Sequence, residues 1–205
     1  MSPVAEPRHQ LVLLRHGETE WSRTGRHTGL TDLPLTERGI AGARAVGTLL
    51  RGREFALVLA SPLQRARRTA ELAGLTPEIE PNLLEWDYGA AEGLTTAEIR
   101  AQRGATWTVF GDGVTPGATP GETLEEVAAR ASRVLAHIDG ALRTGDVALV
   151  GHGHALRILT AVYLRQELRF AAQLPLEAGA VSILGWEKEL PAILAWNRLP
   201  DLDPA

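Results

Sequence analysis

A histidine next to an arginine follows the first apolar run of the chain. The run covers residues 11–14, and Arg15, His16, Gly17 and Glu18 come directly after it. A guanidinium can hold two oxygens of a phosphate group while the adjacent imidazole faces the phosphorus, and glycine lets the backbone approach closely. The combination indicates phosphoryl transfer, although so short a motif leaves open that His16 is an ordinary loop histidine.

A second histidine motif follows a second apolar run. Residues 147–150 are apolar, and His152, Gly153 and His154 come one residue later. His-x-His is a familiar metal-ligand spacing, for which His16 can be counted as a third ligand. The nearby arginines would repel a cation, and no carboxylate cluster accompanies the motif. We therefore expect neither a metal nor another cofactor.

Strands and helices alternate along the chain. Apolar runs predict strands over residues 11–14, 56–60 and 147–150, around Ile79, and over 181–186 and 192–196. Helical spacing predicts helices over 37–51 with Thr36 as N-cap, over 95–102, over 122–142, and one that opens at Ser61 and Pro62. The pattern predicts an α/β three-layer sandwich, with a mainly parallel central sheet flanked by helices and both histidine motifs at the carboxyl ends of strands.

The chain length indicates one domain. Its 205 residues favour a single domain over 1–205. Residues 1–9 are expected to form a flexible N-terminus. Residues 104–121, of which 111–121 are rich in glycine and proline, are expected to form a lid-like loop.

Composition excludes several classes of protein. The chain has 21 basic and 25 acidic residues, a net charge of −4 and no block of like charge, so we expect no nucleic-acid partner and no membrane partner. The absence of cysteine excludes disulfides and thiol catalysis. Without a signal-peptide core or a run of ~20 apolar residues, the sequence predicts a cytoplasmic protein with a small ligand. The C-terminal strands offer an edge for a homodimer, which nothing in the pattern requires.

Five segments resemble, in order and spacing, the histidine phosphatase superfamily in its phosphoglycerate-mutase-like branch. They are residues 11–21, 28–29 with 32–39, 61–70, 85–93 and 150–157. Residues 19–22 and 26–29 look most like the sedoheptulose-bisphosphatase type and the actinobacterial acid phosphatases of this branch. The resemblance implies the fold of that superfamily and transfer of a phosphoryl group through phosphohistidine.

The resemblance also implies catalytic roles. His16 matches the nucleophile, Arg15 and Arg65 the two arginines of the phosphate pocket, His152 the second pocket histidine and Glu85 the proton donor. Two arginines and a protonated His152 are expected to offset the charge of the phosphoryl group, so that no metal is required.

Further residues are expected to bind the rest of the substrate. Besides Arg15, Arg65 and His152, these are Ser22, His27, Thr28, Gly29, Trp86, Tyr88, Gly153 and His154, with Trp107 as another wall. Ser22 and His154 stand where the family pattern has asparagine. The shorter Ser22 hydroxyl is expected against the phosphate, and His154 either binds substrate or fills the loop.

The segment after Glu85 bears on the choice between hydrolysis and mutation. The mutase pattern reads Glu-Arg-His-Tyr-Gly, whereas this chain has Trp86 and Asp87 in place of Arg and His. A carboxylated substrate would lose its partners there. We expect a metal-independent phosphomonoesterase that releases inorganic phosphate from small phosphorylated metabolites, either sugar phosphates or a broad range. The first alternative is a cofactor-dependent phosphoglycerate mutase. The second, which the sequence favours less, is a non-catalytic phospho-ligand-binding protein.

Overall fold

A mixed sheet forms the centre of the structure, a computed structural model that describes residues 9–201. Its strands are β1 (Leu11–Arg15), β2 (Phe55–Ala60), β3 (Glu78–Ile79), β4 (Asp146–Gly151), β5 (Val181–Glu187) and β6 (Leu190–Arg198). In this part of the chain the sheet has six strands in the order β3-β2-β4-β1-β5-β6. The strands β3, β2, β4 and β1 run parallel to one another. β5 pairs antiparallel with β1, and β6 pairs antiparallel with β5. The expected mainly parallel sheet is confirmed.

Helices cover both faces of this sheet. They are α1 (Glu20–Arg23), α2 (Glu37–Leu49), α3 (Gln64–Leu72), α4 (Thr96–Arg103), α5 (Val109–Asp112), α6 (Leu124–Ile138) and α7 (Gly153–Tyr163). Side chains alternate along β1, so Val12 packs with Val46 of α2 on one face and Leu13 with Val134 of α6 on the other. The three-layer α/β arrangement is therefore confirmed.

Caps fix where several helices begin. The Thr36 hydroxyl accepts a hydrogen bond from the Gly39 amide at 3.0 Å, which confirms Thr36 as the N-cap of α2. Thr95 and Thr123 form capping boxes at the starts of α4 and α6. Residues 109–112 form α5 inside the segment expected to be a lid-like loop.

Two predicted helix bounds are wrong. Pro62 does not begin α3, because the chain stays extended to the N-cap Leu63 and the helix starts at Gln64. The helix predicted over 122–142 ends at Ile138, and a separate 3-10 turn covers Ala141–Arg143 after Gly140. Glycine is a poor helix former, which accounts for an end near this position.

Other sequence predictions stay untested. The expected flexible N-terminus over 1–9 lies outside the described residues except for His9. Within 9–201, no helix combines the length and the apolar character that a membrane span requires. β6 is an edge strand with Leu190 and Leu194 exposed, and a homodimer across it stays a prediction.

Candidate active site

Three neighbouring strand ends supply the centre of the site. The His16 amide, after β1, donates to the Gly151 carbonyl of β4 at 2.9 Å. The Ser61 amide, after β2, donates to the Val150 carbonyl at 3.0 Å. This register brings the rings of His16 and His152 to a centroid distance of 5.2 Å. The two histidine motifs therefore meet, because parallel strands end at the same edge of the sheet.

The His16 ring is held in one tautomer. Its Nδ1 lies 2.7 Å from the Gly17 carbonyl, and a carbonyl only accepts, so Nδ1 carries the proton and donates. Burial, together with the positive charges of Arg65 and Arg15, holds the pKa of His16 well below its usual value of 6.5. The ring is neutral, and its Nε2 has a free lone pair for attack on phosphorus.

Close backbone contacts hold the segment that carries His16. The Gly17 amide donates to the Thr69 hydroxyl of α3 at 2.9 Å. A side chain at Gly17 would come within 2.7 Å of the Gly39 carbonyl oxygen, so the start of α2 touches this backbone directly. Glycine at position 17 is required by this close approach.

Arg65 is fully buried, and groups of the protein itself anchor it. Its donors reach His152 Nδ1 at 3.1 Å and the carbonyls of Thr31 at 2.8 Å, Gly29 at 2.8 Å and Thr28 at 3.2 Å. The position of the guanidinium relative to His16 is thereby fixed. Thr69 adds to this by donating to the Arg65 carbonyl at 2.7 Å.

The expectation of a protonated His152 is wrong for this arrangement. His152 Nδ1 accepts from Arg65 Nε, so it carries no proton, and Nε2 donates to the Ser61 hydroxyl 2.8 Å away. Burial and the charge of Arg65 lower the pKa of His152 well below 6.5. The positive charge of the site therefore comes from the arginines and not from His152.

Arg15 has an unused donor next to the nucleophile. Its Nη1 donates to the Leu176 carbonyl, but its Nε is buried with no hydrogen-bond partner among residues 9–201. Gly153 lies against this edge, where an added Cβ would sit 3.3 Å from Arg15 Nε. An unpaired buried N–H is uncommon and costs free energy until an acceptor reaches it. An oxygen of a bound phosphate group is such an acceptor.

Glu85 is buried against the first turn of α7. Its Oε1 accepts from the amides of Trp86 at 2.9 Å and Ala155 at 2.8 Å, and its Oε2 accepts from the His154 amide at 3.1 Å. A carboxylate oxygen has two lone pairs, so Oε1 is saturated and Oε2 keeps one. Glu85 can therefore hold or deliver a proton only through Oε2.

A partly buried ion pair supports the segment that carries Glu85. Arg130 of α6 donates to the carbonyls of Asn82 at 2.8 Å, Leu84 at 3.0 Å and Glu85 at 3.3 Å. Its Nε also pairs with Glu122 Oε1 at 2.7 Å. Arg130 therefore fixes the backbone of the proton donor from behind.

Arg130→Met should destabilise the fold strongly. The substitution removes the donor of Glu122 and of several carbonyls, and losing charge-assisted hydrogen bonds costs about 1.5–3 kcal/mol. Arg133→Met is the matched control on the same helix. Arg133 is exposed and within residues 9–201 bonds only the Asn82 side chain, so a change within about 0.5 kcal/mol is expected. Urea unfolding measures both variants. Equal losses would contradict a special role for Arg130.

A pocket of about 410 Å³ opens beside His16. Its lining includes most of the expected residues: Arg15, His16, Ser22, His27, Thr28, Glu85, Tyr88, Trp107, Gly153 and His154. Arg65 and His152 are fully buried outside this lining; Arg65 donates to His152, and the His152 ring packs near the His16 ring. The volume suits a small metabolite.

Three expected substrate contacts need correction. Trp86 is fully buried and its Nε1 donates to the Glu122 carbonyl at 2.7 Å, so it packs behind the pocket and forms no wall of it. Gly29 lies outside the lining, and its amide donates to both carboxylate oxygens of Glu92. Ser22 reaches the pocket, but its hydroxyl donates to the Thr19 carbonyl. The Ser22 hydroxyl therefore does not point at a phosphate site in this structure.

Tyr88 and His154 form a neutral pair in the pocket wall. Burial raises the pKa of Tyr88 well above 10, so its hydroxyl keeps the proton, and it forms a hydrogen bond with His154 Nδ1. Burial and Arg157 lower the pKa of His154 well below 6.5. The His27 ring stacks parallel to the His154 ring at 6.0 Å.

Sequence reasoning missed three arginines of the pocket. Arg26, Arg100 and Arg157 all line it. Arg157 follows His154 by three residues on α7, a spacing that places both on one helix face, and this signal was available in the sequence.

Asp87 does not face the substrate. Its Oδ1 accepts from the Gly89 amide at 3.0 Å and from the Thr119 hydroxyl, and its Oδ2 accepts from the Gly121 amide at 3.1 Å. It ties residues 113–121 to the segment that carries Glu85. Across the described residues, His, Cys, Asp and Glu form no group of three or more that could hold a metal ion.

Acidification should destabilise the protein through this site. His16, His152 and His154 have folded-state pKa values well below 6.5, whereas in the unfolded chain they bind protons at about pH 6.5. Below that pH the unfolded chain binds more protons than the folded one, so the free energy of unfolding falls as pH falls. The decrease approaches about 1.4 kcal/mol per pH unit for each imidazole until its folded pKa is reached.

Urea unfolding between about pH 7.5 and about pH 5 measures this decrease. His154→Gln should reduce the slope by roughly one third, because one of three imidazoles is removed. A slope that the variant leaves unchanged would show that other groups cause the pH dependence.

Comparison with known proteins agrees with the geometry. The Histidine phosphatase superfamily (branch 1) matches residues 11–199. The chain is 39% identical over 182 residues to the acid phosphatase of Mycobacterium tuberculosis, which covers 87% of each chain. It is 34% identical over 192 residues to sedoheptulose 1,7-bisphosphatase of Saccharomyces cerevisiae, covering 78% of this chain and 69% of the relative. Bisphosphoglycerate-dependent phosphoglycerate mutases are also among its relatives.

The fold comparison leads to the same group. The solved structure of the open reading frame Rv3214 from Mycobacterium tuberculosis has a TM-score of 0.88 and 35% identity, and the match covers 94% of this chain and 99% of that one. Phosphatases of one superfamily therefore appear among both its relatives and its structural neighbours. Because the family model matches residues 11–199, the chain belongs to the histidine phosphatase superfamily, branch 1.

Proposed function

We propose that the protein is a metal-independent phosphomonoesterase that hydrolyses small phosphorylated metabolites through a phosphohistidine on His16. The observation that carries the proposal is the fixed Nδ1-protonated tautomer of His16. It leaves Nε2 free in the pocket that Arg15 also lines, and the Nε of Arg15 has no partner in the described part of the chain. The acid phosphatase and bisphosphatase among the relatives agree with hydrolysis of phosphate esters.

The first step transfers the phosphoryl group to His16. Nε2 attacks phosphorus, the P–O bond to the organic group breaks, and the leaving oxygen takes the proton of Glu85 Oε2. Arg15 and Arg65 offset the negative charge that spreads over the phosphoryl oxygens in the transition state.

The second step returns the site to its starting state. A water molecule gives a proton to Glu85 and attacks phosphorus, and the P–N bond to His16 breaks. Inorganic phosphate leaves, and Nε2 recovers its lone pair.

A substrate screen tests this proposal. Purified protein is treated with a chelator and incubated with a panel of sugar phosphates and simple alkyl phosphates, and phosphate release is measured. We expect release without added metal and, after rapid quenching, label from a ³²P substrate on His16. Activity that the chelator removes and zinc restores would refute the metal-independent mechanism.

Hydrolysis should exceed phosphoglycerate mutation by at least about tenfold. Mutation requires the glycerate group to stay bound after phosphoryl transfer. Trp86 stands where the mutase pattern has arginine and lies outside the pocket, so the cation that the pattern places next to Glu85 is missing. Losing one charge-assisted contact weakens retention about tenfold or more, which lets water take the phosphoryl group first. The measurement follows phosphate and 2-phosphoglycerate formed from 3-phosphoglycerate with a bisphosphoglycerate primer. Interconversion as fast as hydrolysis would favour the mutase alternative.

A further inference from the structure

The pocket lining is more cationic than the transfer of one phosphoryl group requires. Arg26 follows α1, Arg100 is on α4 and Arg157 is on α7, so three separate elements bring arginines to the same lining. The one carboxylate in that lining is Glu85. Because the whole chain has a net charge of −4, this is a local concentration of positive charge.

Arg157 is a partly buried cation with no counterion. Its Nε and Nη2 donate to the carbonyls of Ala171 at 2.9 Å and Ala172 at 3.0 Å, and the guanidinium lies 4.6 Å from the centroid of the Phe110 ring. No carboxylate between residues 9 and 201 forms an ion pair with it. Burial lowers its pKa, which means that the charged form is less stable there than in water. An anion in the pocket would restore that lost stability.

Arg100 has donors that no group of the described chain uses. Its Nε donates to the Trp107 carbonyl at 3.0 Å, and its terminal nitrogens have no partner in the described chain. Arg26 differs, because its Nη1 bonds the Gly93 carbonyl and pairs with Glu98 at 3.2 Å. Arg100 and Arg157 are therefore both anchored to residues 107–110, one through a backbone carbonyl and one through an aromatic ring.

We propose that Arg100 and Arg157, with Arg26 at the rim, bind a second anionic group of the substrate, remote from the phosphoryl group that His16 accepts. The preferred substrates are then small metabolites that carry a second phosphate or a carboxylate. Guanidinium groups bind both kinds of anion through two N–H groups. His27, Tyr88 and Trp107 lie in the same lining and would pack against the carbon skeleton. The inference rests on the proposed phosphomonoesterase activity of the pocket.

Matched alkyl phosphates test the second-anion site. Each substrate has the same phosphate ester at one end of a four-carbon or six-carbon chain and a hydroxyl, a carboxylate or a second phosphate at the other. We expect kcat/KM for a charged substrate to exceed that for the hydroxyl substrate by at least about tenfold. The carboxylate and bisphosphate arms show which anion the site prefers.

Two substitutions locate the site. Arg100→Gln and Arg157→Gln should each bring the ratio of charged to hydroxyl substrate towards one, and raised salt should do the same in the wild type. Arg100 is exposed, so its variant should fold even if loss of the Arg157 anchors disturbs the 3-10 helix over Leu168–Gln173. Arg44→Gln on the exposed face of α2 is the control and should keep the full ratio.

The outcomes separate the two proposals. A ratio near one in the wild type, with the hydroxyl substrate still hydrolysed, would overturn the second-anion site and leave the phosphatase intact. A high ratio that both variants retain would overturn the assignment to these arginines. Failure to hydrolyse any ester or to label His16 would overturn the proposed function, and this inference with it.

Discussion

His16→Ala should lose turnover of every phosphate ester by at least about 10⁴-fold, because no other side chain can take over covalent transfer. The Nε2 lone pair of His16 is the reactive group in the proposed mechanism, and His152, the nearest other imidazole, has both ring nitrogens engaged by Arg65 and Ser61. His152 is therefore unable to substitute for it in this arrangement.

The experiment measures steady-state phosphate release and labelling by a ³²P substrate in parallel. His137→Ala is the control, since the side chain of His137 is 50% exposed and lies on α6, outside the pocket lining. Phosphate should still raise the melting temperature of His16→Ala, because Arg15 and Arg65 remain. Substantial turnover by a folded His16→Ala protein would remove His16 from the nucleophile role.

Glu85→Gln should slow transfer from an alkyl phosphate by about 10²- to 10⁴-fold and transfer from an activated aryl phosphate far less. An alkoxide needs a proton to leave, whereas a stabilised aryl oxide leaves without one. Oε2 of Glu85 is the atom with a lone pair left for that proton.

Pre-steady-state bursts on both substrates, in the wild type and in Glu85→Gln, make the comparison. The amide of glutamine places an N–H group where Oε2 accepts from His154, so part of any loss comes from disturbed packing. Disturbed packing slows both substrates equally. The ratio of the rate loss on the alkyl phosphate to that on the aryl phosphate therefore measures the contribution of proton donation. Equal losses on the two substrates would exclude Glu85 as the general acid. Asp87, the nearest other carboxylate, is an unsuitable replacement because it is bonded to Gly89, Thr119 and Gly121.

Periodicity and strand order predicted the centre of the site well. Buried parallel strands are apolar along their whole length, and their carboxyl ends share one edge, so a polar motif after each of two such strands implies that the motifs meet. His16 and His152 do so across the β1 and β4 ends. The Thr36 cap was predictable for a similar reason, because the hydrogen bond it makes is local.

Contacts that depend on which side of a loop faces the ligand were not predictable from spacing. Trp86 and Tyr88 are two residues apart in an irregular segment, yet Tyr88 lines the pocket and Trp86 is buried behind it. The helical arginines Arg100 and Arg157 resemble solvated surface charges in the sequence. The neutral state of His152 was not predictable either. It follows from a hydrogen bond with Arg65, 87 positions away, and spacing along the chain does not reveal such a contact.

The hydrogen bonds of Arg65 determine whether its side-chain conformational entropy is lost on folding or on ligand binding. A free arginine side chain gives up about 0.5–1.5 kcal/mol of rotamer freedom when a ligand immobilises it. Arg65 is immobilised by groups of the protein itself, namely three backbone carbonyls and His152. The chain therefore loses this rotamer freedom when it folds, and the incoming phosphate meets a guanidinium that has no conformations left to lose.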